Sequence, residues 1–284
     1  MNPGLIRGIK DLRESITGLK RANRTVGFVP TMGALHAGHG ALIEIARREC
    51  DAAVVSIFVN PTQFNARDDY DNYPRNLQTD LDFCGSRQVD VVFAPEAEEM
   101  YPQPGRTVVE VTGISERLCG EFRPGHFRGV ATVVLKLLNI VQPDKAYFGE
   151  KDAQQLAVIR RIVEDLNCPV EIVGVPTVRE PDGLALSSRN QRLNPQERRV
   201  APVLYRALQA AGSKIAVGCS DPAEAAEAGL DILRAEPQIR PEYFEIVDGQ
   251  DMQPVTQISG PVRIAAAIWL GSTRLIDNVL AGPG

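Results

Sequence analysis

The 284-residue chain predicts an α/β fold: a doubly wound parallel sheet followed by a smaller C-terminal domain of α+β style. Three observations predict it. Short apolar runs rich in β-branched residues recur through the first part of the chain, and such runs read as strands buried on both faces. Amphipathic stretches at helical spacing separate them, the alternation that builds βαβ units. After about residue 180 the pattern changes to alanine-rich helices and then to strand-like runs of antiparallel character.

In chain order, the first strand is "TVGFV" (25–29), followed by a helix over "GALIEIARREC" (40–50). The strand "AAVVSIFV" (52–59), the helix "NLQTDLDFCGSR" (76–87) and the strand "VDVVFA" (89–94) continue the alternation. Next come "VATVVLKLLNIV" (130–141), the strand "KAYFG" (145–149) and the helix "AQQLAVIRRIVEDL" (153–166), in which Leu156, Ile159, Ile162 and Val163 share a face. The strand "VEIVGVP" (170–176) ends this part, and "REPDGLALSSRN" (179–190) reads as a connection. Helices over "QERRVAPVLYRALQAAG" (196–212) and "DPAEAAEAGLDILRAE" (221–236) precede strands "EYFEIVD", "VRIAAAIWL" and "RLIDNVL". The expected division is 1–180 and 181–284.

With 31 basic and 36 acidic residues, the chain lacks the electrostatic footprint of a nucleic-acid or membrane-surface binder. Its start, "MNPGLIRGIKDLRE", has no signal-peptide core, and "IAAAIWL" is too short to span a bilayer, so a cytoplasmic protein is expected. Five scattered cysteines (Cys50, Cys84, Cys119, Cys168, Cys219) form no C-x-x-C pair and read as reduced, packed thiols.

The chemistry concentrates after the strands. "HAGH" (36–39) follows the first strand and opens a helix, where unpaired N–H groups and the positive dipole end face the crevice of an open α/β sheet. Gly33 and Gly38 permit close backbone approach to a phosphate, and His36 and His39 supply donors. The chain has neither G-x-x-x-x-G-K-[ST] nor G-x-G-x-x-G, so any nucleotide is held without those loops. One histidine acting only as a helix cap is the simpler alternative. "GEKD" (149–152) places Gly149, Lys151 and Asp152 at a second strand-to-helix turn, suited to a counter-charge for phosphate or to a plain charged helix start. "LSSRN" (186–190) offers two hydroxyls and a guanidinium for a leaving pyrophosphate, or an ordinary turn. "FVNPTQF" (58–64) carries Asn60, Thr62 and Gln63, neutral groups able to orient a small polar substrate, or reads as a plain Asn-Pro turn. "CGEFRPGHFRGV" (119–130), with Arg123, His126 and Arg128, reads as an anion-facing loop or an interface segment.

Taken together, "PTMGALHAGH", "SIFVNPTQF", "YPRNLQTDL", "CGEFRPGHFRGVATVV", "YFGEKDAQQL", "VPTVREPDGLALSSRN" and "RLIDN" resemble, in order, the pantothenate synthetases, ATP-using pantoate:β-alanine ligases. The resemblance implies a Rossmann-like nucleotidyltransferase fold with a small C-terminal lid, a homodimer, magnesium, and a pantoyl adenylate intermediate. It implies that His36 and His39 contact the triphosphate, that Met32, Gln63 and Gln155 form the pantoate pocket, and that Gly149, Lys151 and Asp152 bind the nucleotide. Ser187, Ser188 and Arg189 would clamp phosphate, with Met32 also on the ATP side. His36, His39, Lys151, Ser187, Ser188 and Arg189 are the expected catalytic set, and Asp80 the one candidate metal ligand. Rival readings are a related nucleotidyltransferase and a non-catalytic nucleotide-binding protein. The chain departs from the family in carrying Gly40 where a bulky apolar residue is usual, expected to weaken helix packing behind the site, and Ala153 where tyrosine is usual.

Overall fold

The computed structural model describes residues 3–65, 67–103 and 105–283. Six parallel strands form the large sheet: β1 (Gly4–Ile6), β2 (Val26–Thr31), β3 (Ala52–Ile57), β4 (Val91–Phe93), β5 (Lys145–Gly149) and β6 (Glu171–Val175). Their order is β1-β4-β3-β2-β5-β6. Winding therefore runs outward from β2 in one direction and from β5 in the other. The crevice beyond the carboxyl ends of these two neighbours is the topological switch point, where ligands of open α/β sheets sit.

The helices α1 (Ile9–Arg21), α2 (Ala37–Glu49), α3 (Arg67–Asp71), α4 (Leu77–Ser86), α5 (Ala97–Met100), α6 (Cys119–Phe122), α7 (His126–Val141) and α8 (Ala153–Asp165) lie between the strands. Alternation along each strand sends neighbouring side chains to opposite faces. Phe28, Val54 and Phe93 accordingly pack under Leu12 and Ile16 of α1 and Val134 and Leu137 of α7. Val29, Val55 and Val92 face the other way, under Leu42, Ile43 and Ala46 of α2 and Cys84 of α4. Continuous apolar strands are thus the consequence of helices on both faces.

The C-terminal part contains α9 (Pro195–Val200), α10 (Val203–Ala216), α11 (Pro222–Arg234), β7 (Ile239–Asp248), β8 (Val262–Leu270) and β9 (Thr273–Ala281). The strands form an antiparallel sheet in the order β7-β8-β9. Its own core joins Leu204, Leu208 and Ile215 of α10 and Leu233 of α11 to Ile264 and Ile268 of β8. A further cluster stitches the two parts together, bringing Phe127, Ala153 and Val158 against Val247, Met252 and Ala265.

Two local expectations change. The helix expected over 196–212 is interrupted at Ala201–Pro202 and becomes α9 and α10, because Pro202 has no N–H for the helical ladder. The edge strand β1 is additional: three residues paired with β4 are too short to show a period. Cys50, Cys84 and Cys119 are buried free thiols, while Cys168 and Cys219 are half-buried. Among the described residues no helix is long and apolar enough to cross a membrane.

Candidate active site

The loop after β2 is strained and held from outside. Gly33 has φ 83° and Ala34 φ 53°, the second a conformation that a Cβ disfavours. Asp80 of α4 stabilises it: its two carboxylate oxygens accept hydrogen bonds from the backbone N–H groups of Ala34 (3.0 Å) and Leu35 (2.8 Å). A Cβ at position 33 would come within 2.8 Å of Asp80 Oδ2, so glycine is required there for space as well as for φ. Asp80 is 3% exposed, and burial raises its pKa against the lowering effect of those two bonds. Both Asp80 oxygens are engaged by the backbone, and the side chain is not among the lining residues of either cavity of the cleft, which gives it a loop-holding role.

The loop delivers "HAGH" to the start of α2. His36 caps the helix, its Nδ1 accepting from Gly38 N–H at 3.1 Å, and His39 Nδ1 accepts in return from His36 N–H at 3.3 Å. The ring centroids are 4.2 Å apart. A ring nitrogen that accepts from a backbone N–H carries no proton, so each neutral imidazole is left as an Nε2–H donor. Burial, then the charge of Lys151, lowers the pKa of His36; burial, then His36, lowers that of His39 to about 3. Both are neutral donors at ordinary pH. Capping and ligand binding, alternatives on the sequence, are compatible because they use opposite edges of the ring.

Beyond β3, Asn60 organises the next wall. Its Nδ2 donates to Gln63 Oε1 at 3.1 Å and to Gly129 O at 3.3 Å, and its Oδ1 accepts from the Tyr101 hydroxyl at 2.9 Å. Gln63 Nε2 donates to Met32 Sδ at 3.0 Å, locking two pocket residues together. His126 Nδ1 donates to Gln63 O at 2.8 Å, and its Nε2 accepts from Arg123 at 3.1 Å. Burial, then Arg123, lowers the pKa of His126 to about 3. Arg123 and His126 therefore belong to the cleft, whereas Arg128 is exposed and outside it. Their signal in the sequence was the basic loop "CGEFRPGHFRG"; Tyr73 and Tyr101, also at the site, carried none.

The third wall follows β5. Lys151 and Gln155 line the cleft, and neither side chain has a hydrogen-bond or ion-pair partner among the described residues. Asp152 is exposed at its rim. From the connection, Ser187 Oγ accepts from Arg189 N–H at 3.2 Å, Ser188 reaches the Tyr73 hydroxyl, and Arg189 meets Asp69 at 3.3 Å.

These walls enclose a cavity of about 250 Å³ whose lining includes Met32, His36, His39, Gln63, Gly149, Lys151, Asp152, Gln155, Ser187, Ser188 and Arg189. The lining also takes in the apolar residues Phe58, Val130, Val133 and Val134, and Leu42 with Val175–Val178. A second cavity of about 520 Å³ continues between the two parts of the chain, sharing Arg123, Lys151 and Arg189 and passing over Ala153, where a larger side chain would take up space.

The pantoate-beta-alanine ligase family profile matches residues 4–280. The chain belongs to the pantoate-beta-alanine ligase family. The pantothenate synthetase of Heliobacterium modesticaldum is 54% identical over 276 residues, 97% of this chain and 98% of that protein. That of Pelotomaculum thermopropionicum is 49% identical over 274 residues, 96% and 97% of the two chains. The crystal structure of pantothenate synthetase from Thermus thermophilus superposes with a TM-score of 0.92 at 49% identity, covering 97% of this chain and 98% of that one. The Francisella tularensis pantoate-beta-alanine ligase, complexed with beta-gamma ATP and beta-alanine, superposes with a TM-score of 0.82 at 37% identity, covering 98% and 97%. The ligase fold thus spans both the sheet that carries the cleft and the small sheet that lines its second cavity.

Proposed function

We propose that this pantoate-beta-alanine ligase works through the cleft at the switch point of its sheet, making pantothenate from pantoate, β-alanine and ATP by way of pantoyl adenylate. A pantoate carboxylate oxygen bonds to the α-phosphorus as the bond to the β-phosphate oxygen breaks, and pyrophosphate leaves with the electron pair. The amine of β-alanine then bonds to the acyl carbon, the acyl–phosphate C–O bond breaks, AMP leaves, and the amine loses a proton. Neither step needs a protein nucleophile; both need positioning and stabilisation of developing charge.

The observation that carries this reading is the pair of neutral imidazoles at the start of α2, tied to the backbone by Nδ1 and lining the cavity. Their Nε2–H groups suit phosphoryl oxygens that gain charge as pyrophosphate departs. Lys151, free of any carboxylate partner among the described residues, supplies a mobile positive charge, and Ser187, Ser188 and Arg189 the clamp. Gln63, held by Asn60 and Met32, and Gln155, whose amide is uncommitted, suit the hydroxyls of pantoate against the apolar lining. Gly149 and Asp152, which line the same cavity, complete the nucleotide side of this reading, with Asp152 toward the ribose. Exchange of labelled pyrophosphate into ATP with pantoate present and β-alanine absent tests the order of steps; exchange that needs both substrates would overturn it.

Among the described residues no group of three or more His, Cys, Asp or Glu gathers as a metal site. In this reading Mg2+ would be held chiefly by the triphosphate and water, with Asp152 as the carboxylate that lines the cavity. When bound, the ion neutralises phosphate charge. The reading extends to two domains, 1–180 and 181–284, the second a lid, and to a cytoplasmic homodimer, which light scattering would test.

A further inference from the structure

The turn that carries Lys151 is not held by its own neighbours. The 3₁₀ turn Glu150–Asp152 and the helix α8 that follows have Gly149 and Asp152 at their cap positions, and neither makes a side-chain cap hydrogen bond. The missing anchor comes from the other sheet. Asn278, on β9, is 5% exposed, and its Nδ2 donates to both Glu150 O and Lys151 O at 2.9 Å. Its Oδ1 accepts from Arg263 of β8. Both donors and the oxygen of this amide are therefore engaged, the donors by the turn and the oxygen by the sheet.

The strand around Asn278 is itself immobilised. Asp277 forms a two-pronged pair with Arg179, at 2.6 and 3.0 Å, and Arg179 also donates to Asn278 O at 3.3 Å. The Arg179 guanidinium stacks 3.8 Å from the Tyr205 ring of α10. A rigid element of the C-terminal part thus ends in an amide that grips the main chain at Glu150 and Lys151.

From this geometry we infer that Asn278 is a positioning residue for adenylation: through the carbonyls of Glu150 and Lys151 it sets the turn from which the Lys151 ammonium reaches the triphosphate. The inference rests on the reading of Lys151 as a phosphate-binding residue. The polar atoms of the Asn278 amide are all engaged by protein groups, so it acts through the turn and fixes where the charge is presented. The small sheet is then part of the apparatus that places the cation, in addition to lining the second cavity.

The test is a cycle of Asn278→Asp, Lys151→Ala and the double variant in pantoate-dependent pyrophosphate exchange. Asn278→Asp keeps the side-chain shape and the acceptor for Arg263, now as an ion pair, but turns both donors into acceptors facing two carbonyls. Its melting temperature should fall, because two carbonyls lose their donor, and at a temperature where the variant is still folded exchange turnover should fall by about 10- to 100-fold, the scale of a small misplacement of a reacting group. In the Lys151→Ala background the same change should cost less than about threefold, because the group being positioned is gone. Equal losses in both backgrounds would overturn the positioning role while leaving Lys151 in place. Unimpaired exchange in Lys151→Ala would instead remove the reading of Lys151, and the inference with it. If Asn278→Asp does not fold, Asn278→Ala carries the same cycle with the same two expectations.

Discussion

Two helix starts face the same cleft, and they are built in opposite ways. The start of α2 is self-contained: His36 and His39 exchange backbone hydrogen bonds within four residues, and the same rings present their other edges to the cavity. The start of α8 makes no side-chain cap of its own and takes its anchor from β9, more than a hundred residues away in the chain, as Asn278 bonds to Glu150 and Lys151. The contrast follows from the chemistry each must deliver. Fixed neutral donors profit from rings locked by the adjacent backbone, whereas a flexible ammonium depends on where its backbone is held.

The strongest way to break this comparison is to separate capping from donation at α2. Asparagine is a good N-cap residue but has no ring to present a donor to the cleft. His36→Asn should therefore keep its melting temperature yet lose adenylation rate by roughly 10²- to 10³-fold, the scale for removing one preorganised donor from a site of developing charge. His39→Ala should lose a similar factor, with ATP affinity falling far less, and both should be only mildly impaired in attack of amine on preformed pantoyl adenylate. Single-turnover measurement of the two half-reactions decides; normal adenylation in His36→Asn would leave only the cap.

The same rings set a pH dependence with a definite sign. The folded pKa values of His39 and His126 lie at about 3, below the 6.5 of an unfolded histidine, because burial disfavours the charged ring. Between these values the unfolded chain binds protons that the folded chain does not. The contribution to stability is therefore full above about pH 6.5 and is lost as pH falls toward about 3. Melting temperature should decline across that window, by less in His126→Gln, and adenylation should show no histidine inflection near 6.5.

At the pantoate end, the locked amide contrasts with the loose one. Gln155→Ala removes an amide with no protein partner to strand, so the loss should appear in pantoate binding alone, at roughly 1 to 3 kcal/mol. Gln63→Ala should show the same weakening plus a fall in melting temperature, since it also releases Asn60 and Met32. Titration calorimetry with pantoate and with ATP separates the two; equal losses for both ligands in Gln155→Ala would contradict the assignment.

How much of this was legible in the sequence follows the same divide. Strands β2 to β9 and helices α2, α4, α7 and α8 were legible because periodicity and β-branched runs are local, and "HAGH" was legible because its geometry closes within one turn, whereas the three-residue β1 was not. The break at Pro202 was readable too, and the expectation of one helix over 196–212 overlooked it. The hold of Asp80 on the loop after β2 was not legible because its two backbone partners lie 45 and 46 residues away in the chain. The roles of Asn278, Tyr73 and Tyr101 were invisible for the same reason: a contact between distant segments leaves no period.

The strained loop after β2 depends on Asp80 as an acceptor. Asp80→Asn retains one acceptor and adds a donor where two backbone N–H groups need acceptors, so it should destabilise the fold by about 2 kcal/mol. The magnesium concentration that gives half-maximal activity should not change. A shifted magnesium dependence at unchanged stability would assign Asp80 to the metal instead.

The smallest effect concerns Gly40, where the expected loss of packing behind the site is offset by another residue. The Arg87 guanidinium occupies that space: a Cβ at position 40 would lie 2.7 Å from its Nε and 3.1 Å from one terminal nitrogen. Arg87 also stacks 3.7 Å over Phe83 and sits 3.7 Å from Glu44, so it acts as a long, partly buried cover for α2. Gly40→Ala alone removes the entropic cost of a helical glycine but pushes the guanidinium aside, and the two effects should nearly cancel. In an Arg87→Ala background the space is free, and Gly40→Ala should then stabilise by about 1 kcal/mol, the full difference in helix propensity. Denaturant melts of the four proteins test this; equal gains in both backgrounds would mean that the guanidinium yields without cost and that the glycine is not being complemented. Adenylation should be unchanged throughout, because position 40 faces Arg87 and not the cleft.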